Sequence, residues 1–76
     1  MNYLLTMFIC SVGVQGTTCL PPHTFDILYK DGYDCMLAGY TKSHEKIIEI
    51  GREEINEHKI FVTFGCYEDL SNKPTT

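Results

Sequence analysis

Three apolar patterns divide the chain. The first, Leu4 to Val14 (LLTMFICSVGV), is an almost unbroken apolar run, and no charged side chain occurs in the first sixteen residues. Its length suits the core of a signal peptide, whereas a membrane-spanning helix needs about 20 apolar residues. Gln15, Thr17 and Thr18 close the run, and Val14 and Gly16 provide small residues ahead of a cut before Thr17. The pattern therefore predicts a removable leader over residues 1–16 and a mature domain over 17–76, with no stable membrane span once the leader is gone. The positive start of such a leader is supplied here only by the Met1 amine. The competing reading of the same run is an N-terminal buried strand or helix of a cytosolic protein.

The second pattern follows the proline pair Pro21–Pro22, which forbids helix and favours an extended chain. Phe25, Ile27 and Tyr29 alternate with Asp26, Leu28 and Lys30, the period of a short strand. Asp31 then offers an N-cap, with Gly32 to turn the chain and Asp34 at the positive end of a helix dipole. From there Tyr33, Leu37, Tyr40, His44, Ile47, Ile48, Gly51 and Ile55 recur on one side of a helical wheel. Lys42, Glu45, Lys46, Glu49, Arg52, Glu53 and Asn56 occupy the other. One helix from Asp31 to about Glu57 is expected, its apolar stripe laid on a sheet, with Gly51 as the point of close approach and the charged side in solvent.

The third pattern is a strand in which Ile60, Val62, Phe64 and Cys66 share one face and Phe61, Thr63, Gly65 and Tyr67 the other. Apolar residues on both faces point to a strand buried on both sides or paired at an interface. The polar segment Ser71–Thr76, which contains Pro74, is expected to be a disordered tail. Strand, helix and strand predict an α/β fold: a small βαβ unit with parallel strands and a right-handed crossover. A single helix covers one sheet face, and two strands leave open edges, so the unit needs completion by dimerisation or by a partner chain.

Composition narrows the functional classes. The chain has 76 residues and a formal net charge of −4, the wrong sign for binding a polyphosphate backbone, so no nucleic-acid partner is expected. A mature domain of this size is marginally stable alone and calls for a disulfide or a partner. If Cys10 leaves with the leader, Cys19, Cys35 and Cys66 remain, and at most one pair closes within the chain. Helix rise and strand rise bring Cys35 and Cys66 to a similar height, so this pair is the expected disulfide, with Cys19–Cys66 as runner-up and Cys19 otherwise free or bridging chains. The wheel raises a conflict, because Cys35 lies across from the Leu37, Tyr40 and Ile47 stripe. Bridging requires a kink near Gly39 or a first turn packed through its small-residue side.

Candidate chemistry is sparse. Cys19 and His23 have a C-x3-H spacing, but two ligands do not make a zinc site, and Cys35, Cys66, His44 and His58 fall on separate elements. Cys35 near a helix N-terminus is the one conceivable nucleophile, yet an exported thiol is more often in a disulfide and so short a chain rarely encloses a substrate. No metal, cofactor or catalytic residue is expected, and the chain is not read as an enzyme. Phe61 and Tyr67 are the candidate interface aromatics.

The strings YDCMLAGY (Tyr33–Tyr40), EIGREEIN (Glu49–Asn56) and IFVTFGC (Ile60–Cys66) resemble those of short proteins of marine tailed phages, which also begin with an apolar leader and a segment like Leu20–Pro22. The resemblance covers most of the chain beyond the leader. It implies a viral origin and export into the host envelope, and it implies no activity. Together these readings favour a small exported protein of the bacterial periplasm or extracellular space, acting as a protein-binding module and host-envelope modulator. The alternative is a structural homodimer or assembly subunit with no foreign partner.

Overall fold

The computed structural model describes residues 2–69, so the expected tail at 71–76 lies outside the described residues. In chain order the elements are β1 (Tyr3–Gly13), β2 (Gly16–Cys19), β3 (His23–Tyr29), α1 (Gly32–Ile50), α2 (Arg52–His58) and β4 (Ile60–Glu68). The fold is mixed α/β, an antiparallel four-stranded sheet with two helices.

Among the described residues every strand pairing involves β1. Along one edge β4 runs antiparallel to it in unbroken register, from Tyr3 opposite Glu68 to Ser11 opposite Ile60. The other edge is shared: β3 takes the first half, from Tyr3 opposite Tyr29 to Met7 opposite His23, and β2 takes the second, from Cys10 opposite Cys19 to Gly13 opposite Gly16. Gly16 adopts φ 113° where the β1–β2 hairpin closes around Val14 and Gln15, a conformation that glycine takes without steric cost. The prolines at 21 and 22 then separate β2 from β3, since neither can donate to the ladder.

This arrangement revises the expected βαβ unit. The strands on either side of the helices, β3 and β4, do not pair with each other; each runs antiparallel to β1, which lies between them. The mate that two strands and a helix require comes from the chain itself. The apolar run read as a leader supplies it. Among the described residues Leu5 (0% exposed), Met7 (3%) and Cys10 (4%) of β1 are three of the four buried apolar residues, the fourth being Cys35. An apolar run interrupted only by Thr6 and Ser11 suits a strand paired on both edges as well as it suits a signal core.

The helical region starts as its cap predicts, with the Asp31 carboxylate accepting from the Asp34 backbone N–H at 2.8 Å. It does not run unbroken to Glu57. Gly51 takes φ 96° and splits it into α1 and α2, and open space surrounds the position where its side chain would be, so this glycine serves a break and not a close approach. The close approach is at Gly39. A Cβ there would run into the Phe64 ring of β4.

The face that α1 buries also departs from the hydrophobic pattern. Cys35, Gly39 and Ser43 are its buried residues, spaced four apart along one side, while Leu37, Tyr40, Ile47 and Ile48 of the expected stripe are exposed. Steric reach explains the choice. A helix tied to β4 through Cys35 and laid against Phe64 sits too near the sheet for large side chains to intervene, so the small-residue side faces inward. The first turn packed through small residues, one of the two ways to seat Cys35, is the arrangement observed.

The two faces of α1 make opposite predictions. Gly39→Val should lower unfolding stability by about 2–3 kcal/mol through overpacking against Phe64, whereas Leu37→Ala should change it by no more than about 0.5 kcal/mol. Urea unfolding followed by circular dichroism measures both. A large loss at Leu37 with little at Gly39 would mean the helix is turned the other way.

Candidate functional site

Two disulfides frame the sheet. Cys10 and Cys19 sit opposite each other in the β1–β2 hairpin and are bonded, with Cα atoms 4.0 Å apart. Cys35 of α1 and Cys66 of β4 are bonded across a Cα separation of 6.1 Å. In the full chain Cys19, expected to be free or to bridge chains, is bonded to Cys10 of the segment read as a leader. With every cysteine bonded, Cys35 has no thiol to act as a nucleophile and Cys19 none to join His23 at a metal. His44 is exposed on α1, and His58 stands at the end of α2 beside Glu54 (3.6 Å) and Glu57 (3.7 Å). Among the described residues no three His, Cys, Asp or Glu side chains converge as metal ligands, and no helix is long and apolar enough to cross a membrane.

What the structure does gather is apolar surface on the side of the sheet that the helices leave uncovered. Cys66 and Phe64 meet α1, so Leu5 and Met7 opposite them share that helix-side face, and the alternate residues point the other way. Successive rows result on the open face. Leu28, Leu4 and Tyr67 lie across β3, β1 and β4; Thr24, Thr6 and Gly65 form the next row; Phe8 and Thr63 follow across β1 and β4; and Cys19, Cys10 and Phe61 lie across β2, β1 and β4. The second row is fixed by a hydrogen bond between the Thr6 and Thr24 hydroxyls at 2.9 Å. Phe61 and Tyr67 are 41% and 53% exposed, and Leu28 is 49% exposed. The two interface candidates therefore share one face, and their neighbours Leu4 and Leu28 were not anticipated. The signal for Leu4 was concealed in the apolar run assigned to the leader.

On the helix side a groove of about 770 Å³ lies between α1 and β4. Met36, Tyr40 and Ile47 form its helical wall and Val62 and Phe64 its strand wall, with the Tyr40 and Phe64 rings edge to face at 4.9 Å. Ser43 lines it too, 8% exposed, its hydroxyl buried without a hydrogen-bond partner. Charge is placed on the opposite flank of α1, where the Lys42 ammonium lies 4.9 Å over the Phe25 ring of β3 and Lys46 pairs with Glu49 at 3.3 Å.

Comparison with known proteins yields no match to a family model, a curated protein or a solved structure. The geometry thus carries the functional argument.

The disulfides differ in what they constrain. Cys35–Cys66 closes a sequence separation of 31 and Cys10–Cys19 one of 9. Replacing the first pair by alanines should cost about 3–4 kcal/mol and the second about 2–3 kcal/mol, because the longer loop restricts the unfolded chain more. Urea titration of the two double variants under non-reducing conditions tests the order, and a larger loss for the Cys10–Cys19 variant would contradict it.

Proposed function

We propose that this chain is a small protein-binding module of an exported, oxidising compartment, in which residues 3–13 stay with the fold and the open sheet face is the contact surface. The observation that carries the reading is the uncovered apolar face: Leu28, Leu4 and Tyr67 in one row and Phe61 beside the Cys10–Cys19 bridge in another. Side chains of this kind on a soluble surface lose hydration most favourably against another protein, and aromatics give contact area at small entropic cost. The cross-strand bridge and the Thr6–Thr24 hydrogen bond hold the face rigid before contact, which lowers the cost of ordering it. Two intrachain disulfides are compatible with an oxidising location. The phage resemblance extends the proposal to a host-envelope protein as the target.

Site-specific photo-crosslinking tests it. With a photoreactive residue in place of Tyr67, the full chain expressed with an export signal should form an adduct with one envelope protein. That adduct should disappear when Leu28→Glu is added, and the same residue at Glu45, on α1, should give none. Equal adducts from the Glu45 position, or none from Tyr67, would refute the sheet face as the contact surface.

A further inference from the structure

We propose that the outer edge of β4 is paired by the β4 edge of a second copy of this chain, with the two α1 helices packed side by side above the joint. This does not rest on the function proposed above.

The state of that edge can be read from two hydrogen bonds. The Asp69 N–H donates to the Asn2 carbonyl at 2.8 Å and the Val12 N–H to the Lys59 carbonyl at 3.1 Å. Antiparallel alternation then turns the backbone groups of odd-numbered β4 residues toward β1 and those of Val62, Phe64 and Cys66 outward. Among the described residues no strand pairs with them. The other edge of the sheet is protected: β3 has an irregular register against Leu4–Thr6, carries Asp26 and follows two prolines, and β2 has only four residues. By contrast β4 is nine residues long, contains no proline, and has its single charge at Glu68. Edges of this kind are blunted in soluble proteins unless something pairs with them.

The geometry selects a second copy as the occupant. α1 lies over β4 and β1 more than over β3. With strands about 4.8 Å apart, joining two β4 edges sets helices placed over the β1–β4 seam about 10 Å from each other, which is the interaxial distance of packed helices. Met36, Tyr40 and Ile47, the helical wall of the groove, form the stripe that would meet its own copy there. The bond of Cys35 to Cys66 and the seat of Phe64 at Gly39 show that α1 descends as β4 rises, so the middle of this stripe is level with Val62–Phe64. One two-fold axis at Thr63 therefore serves both contacts, setting Val62 opposite the second copy's Phe64.

Charge and exposure agree. A chain of net charge −4 meets its copy best where neither surface carries a charge, and the β4 side of α1 has no Asp, Glu, Lys or Arg among the groove residues. Met36, Tyr40 and Ile47 are 50%, 69% and 43% exposed, so three large apolar side chains stand available beside the unpaired strand edge. The joint makes one eight-stranded sheet and leaves its open face free.

Light scattering on the oxidised full chain at micromolar concentration should give twice the 8.7 kDa chain mass. The double variant Tyr40→Glu with Ile47→Glu, both at exposed positions, should halve that mass without changing the circular dichroism spectrum. Leu28→Glu, on the open face and remote from β4, should leave the mass unchanged, so loss of partner crosslinking and loss of the dimer are separable. Hydrogen exchange should show the Val62, Phe64 and Cys66 amides protected in the wild type and fast in the double variant. A monomeric wild type overturns the proposal, whether those amides exchange fast or are covered by another part of the chain or a peptide; so does a dimer that the double variant preserves.

Discussion

The hydrogen-bonding capacity of β1 is used on both edges, and the rest of the molecule is arranged around that fact. Tyr3–Gly13 pairs with β4 on one side and with β3 and β2 in succession on the other. Among the described residues no other two strands pair with each other. The same strand supplies most of the buried apolar residues, so backbone satisfaction and core formation depend on one segment. A chain this short has little apolar surface to bury, and the disulfides act where burial is thin. One bridge locks the hairpin that turns off the end of β1, and the other ties the helical layer to β4.

The second constraint is the distance between the layers. Gly39 lets the Phe64 ring lie against the helix backbone, and Cys35 bonds directly to the strand beneath it. Close seating excludes larger side chains from this contact and turns Tyr40, Ile47 and Ile48 outward. The outcome is a two-layer molecule with apolar surface in two separate places, the uncovered sheet face and the β4 side of α1. With the small residues taken up by internal contact, large apolar side chains are left at the surface.

Local periodicity made several elements legible. The alternation of Phe25, Ile27 and Tyr29 marked β3, Asp31 marked the start of α1, and the two-faced run from Ile60 to Tyr67 marked β4. β1 was not legible because an almost unbroken apolar run shows no clear period, and its composition serves a signal core and a doubly paired strand equally. A usable signal was present nonetheless: Cys10 and Cys19 stand at equal distances from Val14–Gln15, with glycines on both sides, as a bridged hairpin requires. The helix face misled for a different reason. A hydrophobic stripe reports which side avoids water, while the packing side here was set by steric approach, and the position of Cys35 across from the stripe was the only trace of that. On the candidate surface, Phe61 and Tyr67 were legible from the second face of β4; Leu4 and Leu28 became visible only once the register across β1 was known.

The dependence on β1 is tested most directly by comparing urea unfolding of the full oxidised chain with that of the chain beginning at Thr17. The full chain should unfold in one cooperative transition, and the shortened chain, deprived of the strand that every other strand pairs with, should show no cooperative transition and a disordered far-ultraviolet spectrum. A shortened chain that retains the sheet signal and a comparable midpoint would contradict the account.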